Sequence, residues 1–224
     1  MTQPPTKKIK TEQTDLVMER IKADLPWSFD RDFFRRNNTS GATDFVFYCN
    51  LMEEVRSVLH KEQVKMFGKI YVTPRTTAML YDPRHHGNVT AGYKWGGKVH
   101  FYDGAMGDHV KWLRDLVAMA IPGFTPNAVV INYYENGRNN IGWHADDEEE
   151  LTDSTVASLS FGTERRFLIR SKRSKVKIAE YKLGNGSLFV MKSDCQDLYE
   201  HCVPKEARIN TGRLNLTFRQ MKLN

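Results

Sequence analysis

The sequence predicts a mainly β domain of the α+β class, an antiparallel sandwich or jelly roll buttressed by helices. Two observations support this fold class. Apolar residues follow a helical period over residues 51–60 and 108–120, and from residue 127 onward they alternate with a period of two in several short stretches. Turn-forming and charged residues separate those stretches. A helical layer followed by many short strands is typical of an antiparallel core covered by helices.

A first helix is predicted over residues 51–60, after a stretch over residues 24–49 in which aromatic residues and polar breaks indicate packing layers and a short strand. Asn50 and Glu53 match a capping box, in which each side chain accepts a backbone hydrogen bond at the start of the helix. The apolar face of this helix contains Leu51, Val55, Val58 and Leu59.

A second helix is predicted over residues 108–120, with Asp108 as its cap and Pro122-Gly123 ending it. Strands are predicted wherever apolar and polar residues alternate after that point. Their ranges are 127–134, 155–161, 165–170, 175–181, 186–192 and 212–220.

The composition allows one large domain with a sizeable core. The chain has 224 residues, of which 40% are hydrophobic, and its net charge of +6 favours polyanionic partners. Three cysteines form no paired framework and indicate a reducing compartment. No apolar stretch has the length of a membrane span, and the N-terminus does not have the apolar core of a secretory signal.

Residues 1–15 are polar and without periodicity, which predicts a disordered tail before a single domain over residues 16–224. The run Lys7-Lys8-Ile9-Lys10 is compatible with a nuclear address, although a merely solvated tail explains it as well. We expect a nuclear protein, with the cytoplasm as the alternative. A monomer suffices for the chemistry described below.

His144-Ala145-Asp146 is a candidate metal motif. On an extended backbone, side chains two residues apart point the same way, so both can hold one ion, although such pairs are common by chance. His201 is the one histidine after the acidic run 146–150 and is the candidate third ligand, a hydrogen-bonded structural histidine being the alternative. Two imidazoles and a carboxylate form the facial triad of non-haem Fe(II) oxygenases. Zinc would accept the same atoms without the redox chemistry.

The stretch from Arg213 to Arg219 alternates strictly between polar and apolar residues. Its apolar positions pack into one layer of the fold, which leaves four hydrogen-bonding side chains on the other face. Those four are Arg213, Asn215, Thr217 and Arg219. A solvated outer face is one explanation. Two guanidinium groups with an amide and a hydroxyl between them also suit a small dicarboxylate, and Asn132 and Tyr134 add donors from their own strand.

The order of these motifs resembles the AlkB family of Fe(II)- and 2-oxoglutarate-dependent nucleic-acid dealkylases, over about residues 65–220. Within that family the sequence is most similar to the eukaryotic homologues that repair alkylated DNA. Ser158-Leu159-Ser160-Phe161-Gly162 and Gly186-Ser187-Leu188 also resemble the family's core strands. The resemblance implies a double-stranded β-helix core over about residues 125–220 and a nucleotide-recognition lid over about residues 65–100.

The resemblance also implies a set of cofactors and their ligands. Fe(II) would be held by His144, Asp146 and His201, with O2 and 2-oxoglutarate as cosubstrates. The distal carboxylate of 2-oxoglutarate would lie on Arg213 and its keto-acid end near Arg219. The remaining residues of that pocket would be Asn132, Tyr134, Asn215 and Thr217.

The activity implied is oxidative demethylation of N-alkylated bases, of the 1-methyladenine and 3-methylcytosine type, with release of formaldehyde. Alkylated DNA is the expected partner, preferably duplex. Two alternatives are the same chemistry on RNA or single strands, and a non-catalytic nucleic-acid-binding module on the same fold.

A base must leave its stack to reach a buried metal, and further motifs suit that task. Tyr93-Lys94-Trp95-Gly96-Gly97 matches the family's lid, in which an aromatic residue stacks on the flipped base, and Met66-Phe67-Gly68-Lys69 resembles the hairpin that fills the gap. Asp147 is a candidate contact to the base edge, the alternative being a solvated acidic loop. The candidate contacts to phosphates are Arg75 and, on a basic hairpin, Arg170, Lys172, Arg173 and Lys175.

Overall fold

The structure, a computed structural model, describes residues 25–66, 69–84, 93–95 and 98–222. The helices in this part of the chain are α1 Phe33–Asn37, α2 Asp44–Arg56, α3 Asp108–Ala120 and α4 Ser193–Leu198. The first strands are β1 Trp27–Asp30, β2 His60–Met66, β3 Lys69–Tyr81, β4 Tyr93–Trp95, β5 Lys98–His100 and β6 Gly104–Ala105. The others are β7 Ala128–Tyr134, β8 Ile141–His144, β9 Leu151–Gly162, β10 Arg165–Ser171, β11 Lys177–Leu183, β12 Ser187–Met191, β13 Tyr199–Val203 and β14 Arg213–Met221.

These strands form two main sheets. The larger sheet has the order β1-β12-β9-β14-β7-β3-β2, with β6 added in parallel beside β3. The smaller sheet has the order β11-β10-β13-β8, and β4 and β5 make a separate antiparallel pair. Apart from β6, every pairing is antiparallel, which agrees with the predicted class.

Each face of the larger sheet is covered. Helices α2 and α3 pack on one face, where Leu51 and Leu113 meet Phe161, Leu214 and other buried side chains. A second apolar cluster fills the space towards the smaller sheet, because inward-facing residues of β10 and β12 meet there. Burial on both faces leaves the polar side chains of β14 inside the protein.

The first helical prediction is wrong at both ends, since the helix ends at Arg56 rather than at residue 60, and the second is wrong only in its cap. Helix α2 begins at Asp44, and Thr43, whose side chain accepts the Val46 N–H at 3.3 Å, caps it instead of Asn50. Helix α3 has the predicted range, but its N-cap is Gly107, which offers no side-chain cap.

Glu54, which belongs to α2, caps the start of α3 in place of a side chain at position 107. Its carboxylate accepts the backbone N–H groups of His109 at 2.9 Å and Val110 at 3.1 Å. Free backbone donors at a helix start need such acceptors, so Glu54 joins the two helices.

The six predicted strands are all present, and β9 is longer than expected because it begins at Leu151. Residues 1–15, the predicted tail with its lysine run, lie outside the described residues. No helix in the described ranges is long and apolar enough to cross a membrane.

Candidate active site

The three candidate metal ligands lie together at the edge of the smaller sheet. Strand β13 pairs with β8 so that His201 is directly opposite His144, and Asp146 follows two residues after His144. The Nε2 atom of His201 is 3.6 Å from Oδ2 of Asp146, and that of His144 is 4.0 Å from Oδ1. All three ligand atoms lie within 4.8 Å of one another, so one ion can touch all of them.

The protonation of these groups suits a metal. Burial lowers the pKa of His201 to about 3, helped by the neighbouring His144, and burial also lowers the pKa of His144. Burial opposes ionisation of Asp146, but the charge of Arg219 outweighs it and holds the pKa of Asp146 low. The Nδ1 atom of His144 lies 2.9 Å from the Gly142 carbonyl, which leaves Nε2 as the ligand atom.

Two further groups fix Asp146, which lies in a loop. Arg219 donates from Nη2 to Oδ1 of Asp146 at 2.6 Å and from Nη1 to Oε1 of Glu148 at 2.7 Å. The backbone N–H of Asp146 donates to Oε1 of Gln196 at 2.9 Å, and Gln196 is 1% exposed. Arg219 was predicted to lie near the keto-acid end of 2-oxoglutarate. In the structure its guanidinium is hydrogen-bonded to the carboxylates of Asp146 and Glu148.

The polar face of β14 is buried, so the alternative of a solvated outer face is wrong. Its four polar residues are between 1% and 6% exposed. Strand β7 brings Asn132 opposite Asn215 and Tyr134 opposite Arg213. The residues predicted for a dicarboxylate pocket thus lie together on two neighbouring strands.

Arg213 carries donors that the described residues do not use. Its Nη2 donates to Oγ of Ser160 at 2.8 Å, and its guanidinium lies 5.3 Å from the centre of the Tyr134 ring. Its Nε and Nη1 atoms are buried without a hydrogen-bond partner in the described part of the structure. Burial lowers the pKa of Arg213 to about 10. A buried guanidinium with two unused donors fits a carboxylate, which accepts both at once.

A cleft between the two sheets connects these groups. His144, Asp146 and His201 line it together with Arg213 and the other polar residues of β14. One side of the cleft therefore presents the three candidate metal ligands, and another presents the buried Arg213.

Arg75 was expected on the surface as a phosphate contact, and the structure corrects this. It is 6% exposed, lines the cleft and donates from Nε to Oδ1 of Asn132 at 2.6 Å. The sequence offered no signal for this position because Arg75 lies in a Thr-Pro-Arg-Thr-Thr stretch without clear alternation. Glu148 lies two residues after Asp146, so an extended backbone would point both side chains to the same side, and this spacing was a signal for Glu148. For Gln196 the sequence contains no comparable pattern.

Asp147 is exposed, and it is not among the described residues that line the cleft. Its carboxylate is 2.9 Å from Nζ of Lys172. On the same hairpin, Arg170 and Lys175 both bind Glu200. Three of the four candidate cations of the hairpin thus have an acidic partner, while Arg173 is exposed and has no ion pair among the described residues.

The expected lid and gap-filling hairpin are only partly described. Met66 pairs with Lys69, so β2 and β3 form the predicted hairpin, and Lys69 is exposed. Phe67 and Gly68 lie outside the described residues. Tyr93, Lys94 and Trp95 form the strand β4, and their side chains also lie outside the description.

Comparisons with known proteins agree with this geometry. The profile of the 2OG-Fe(II) oxygenase superfamily matches residues 49–219. The chain is 32% identical to the DNA oxidative demethylase ALKBH2 of Homo sapiens over 175 residues, which is 72% of this chain and 62% of that protein. It is also 32% identical to ALKBH2 of Bos taurus over 173 residues, covering 71% of this chain and 57% of that protein. The chain therefore spans about three fifths of the length of these curated relatives.

Two other similarities concern a second relative and the fold. The alpha-ketoglutarate-dependent dioxygenase alkB homolog 3 of Homo sapiens is 37% identical over 106 residues, 43% of this chain and 37% of that protein. The solved structure of OsALKBH1 superposes with a TM-score of 0.58 and 15% identity, over 87% of this chain and 96% of that one. That likeness concerns the fold alone, and it agrees with the predicted jelly-roll core.

Proposed function

Because this chain belongs to the 2OG-Fe(II) oxygenase superfamily, we propose that it is an oxidative demethylase that repairs N-alkylated bases in DNA. The superfamily uses Fe(II), 2-oxoglutarate and O2. One observation carries the proposal, namely that three ligand atoms within 4.8 Å of one another share a cleft with a buried arginine that has unused donors. The relatives named as DNA oxidative demethylases support DNA as the substrate class.

In this proposal His144, Asp146 and His201 hold the iron. Arg213 binds the distal carboxylate of 2-oxoglutarate, and the polar residues of β7 and β14 complete that pocket, namely Asn132, Tyr134, Asn215 and Thr217. Arg219 orients Asp146 from the end of the pocket where we expect the keto acid. When bound, these cofactors supply the oxidation that hydroxylates the N-methyl group, whose product then loses formaldehyde.

The chain itself supplies position and environment. Burial keeps both imidazoles neutral at physiological pH, so no proton competes for the ligand nitrogens. Gln196 and Arg219 hold the loop residue Asp146 from two sides. A cleft between two sheets excludes a stacked base, so the target nucleotide has to be flipped or taken from a single strand.

The nucleic-acid contacts complete the proposal. The flipped base would be enclosed by Tyr93, Lys94 and Trp95. The gap that it leaves in a duplex would be filled by Phe67, Gly68 and Lys69. Asp147 would leave its ion pair with Lys172 and contact the edge of the base instead. Arg173 is the cation best placed for a phosphate, because its neighbours Arg170, Lys172 and Lys175 already pair with carboxylates. We also propose that the protein acts as a monomer in the nucleus.

The decisive experiment measures formaldehyde release from DNA containing 1-methyladenine, with Fe(II) and 2-oxoglutarate present. Asp146→Ala should abolish release, because it removes a ligand. Asp197→Ala is the matched control, since Asp197 is an exposed carboxylate outside the cleft, and it should keep wild-type activity. Release that survives in Asp146→Ala would contradict the proposal.

Substrate class is decided in the same assay with other oligonucleotides. We expect faster turnover on duplex than on single-stranded DNA, and Phe67→Ala should lower the duplex rate most. Faster turnover on RNA or single strands would favour that alternative. Failure of the wild-type protein to consume 2-oxoglutarate with iron would favour a non-catalytic binding module.

A further inference from the structure

In strand β5 and the residues that follow it, the apolar side chains face outward. Val99 is 50% exposed and Phe101 is 67% exposed. The residues between and after them turn inward: the His100 side chain is only 11% exposed, and the Tyr102 ring packs at 5.6 Å against Tyr81. Apolar residues outside and polar ones inside indicate a face that contacts something other than water.

Phe101 lies at the mouth of the active-site cleft. It lines the same cleft as His144 and Asp146, yet two thirds of its surface is open. The exposed ring is therefore continuous with the space that, under the proposed function, receives the target base. Under the proposed function, a strand whose target base enters the cleft would bring a neighbouring base towards this mouth.

Two carboxylates, those of Glu62 and Asp103, line the same cleft as Phe101. Glu62 lies 2.9 Å from Nε2 of His60 and 3.5 Å from Nδ1 of His100. Asp103 lies 3.5 Å from Nδ1 of His60. A phosphate would meet carboxylates here, which repel it, whereas the flat face of a base meets an aromatic ring.

We propose that Phe101, supported by Val99, is a stacking platform for the base that neighbours the target base. This inference rests on the proposed function and adds a subsite to it. Stacking on an aromatic ring accepts any base, so the platform holds the strand without reading its sequence. The platform serves single-stranded substrates, in which the neighbouring base is free to stack on protein, whereas in a duplex that base stays paired and stacked.

The test measures binding of a single-stranded DNA with a central 1-methyladenine to the full chain, without 2-oxoglutarate so that no turnover occurs. Phe101→Ala should weaken binding by about 5- to 150-fold, the range for loss of one base–aromatic stack. Phe101→Trp should retain affinity. Phe45→Ala is the matched control, since Phe45 is 73% exposed on α2 and outside the cleft, and it should stay within about twofold of wild type.

Oligonucleotides with an abasic site 5′ or 3′ of the lesion identify the stacked base. On one of them, wild type and Phe101→Ala should bind equally, because the base that stacks is absent. An affinity of Phe101→Ala equal to that of Phe45→Ala overturns the platform, as does a penalty that persists on both abasic strands. Absence of binding by the wild-type chain would instead contradict the proposed function.

Discussion

Replacing Arg213 with methionine should stabilise the metal-free protein while abolishing cosubstrate binding. Arg213 is 1% exposed, and burial lowers its pKa from 12.5 to about 10. That difference corresponds to roughly 3 kcal/mol against the charged form. Methionine fills a similar volume without the charge, and loss of the hydrogen bond to Ser160 subtracts about 1 kcal/mol. The net gain of about 2 kcal/mol lies within the range for replacing buried ions by apolar residues.

Thermal unfolding with and without 2-oxoglutarate and Mn(II) measures both effects. A gain of 2 kcal/mol should raise the Tm of Arg213→Met by roughly 4–8 °C. Added 2-oxoglutarate should raise the Tm of the wild type and leave that of the variant unchanged. Arg173→Met, which changes an exposed arginine, should resemble wild type in both conditions. A lower Tm for Arg213→Met together with a preserved 2-oxoglutarate response would refute the reasoning.

Three further predictions follow from the described contacts. Gln196→Met leaves the buried N–H of Asp146 without an acceptor. Its affinity for Co(II), measured by titration, should fall by about 10- to 100-fold. Gln196→Glu keeps an acceptor and should bind Co(II) more tightly than Gln196→Met. Glu54→Ala removes the acceptor at the start of α3 and should cost about 1–2 kcal/mol in urea unfolding, with unchanged metal affinity. Because burial lowers the pKa of His144 and His201, the unfolded chain binds more protons below its histidine pKa of about 6.5. Metal-free protein should therefore lose stability as pH falls below that value, by up to about 1.4 kcal/mol per pH unit for each histidine, and a flat profile between pH 7 and 5 would contradict this.

The alternating strands were predictable because one of their faces is apolar throughout. In β14 the even positions Leu214, Leu216 and Phe218 enter the helix-side core, and the period of two is visible in the sequence. Strand β3 was missed because it changes environment along its length. It starts in an exposed ribbon beside β2 and ends inside the larger sheet, so no single alternation describes it.

The site was predictable to the extent that its chemistry is unusual. The resemblance to the AlkB family is confirmed by the relatives, and it rests on metal ligands and arginines that few other folds combine. The partners of those groups were not predictable, because Gln196 and Arg75 reach the site only through pairings distant in sequence. An amide on a short helix carries no period and no charge that would indicate its contact with Asp146.

The buried polar face of β14 connects fold and function. A strand covered on both sides is most stable when both of its faces are apolar, yet this one keeps two arginines, an asparagine and a threonine inside. Much of that polarity is compensated by hydrogen bonds that Arg213 and Asn215 donate to the hydroxyl oxygens of Ser160 and Ser158 of β9. Arg219 donates to the carboxylates of Asp146 and Glu148. Among the described residues, Nε and Nη1 of Arg213 remain without an acceptor, and folding alone does not require them, since we expect an apolar residue there to be more stable. A ligand that supplies the missing acceptors explains why an arginine is present at this position. Arg213→Met should therefore be more stable than the wild type without 2-oxoglutarate and should lose the stabilisation that 2-oxoglutarate gives the wild type.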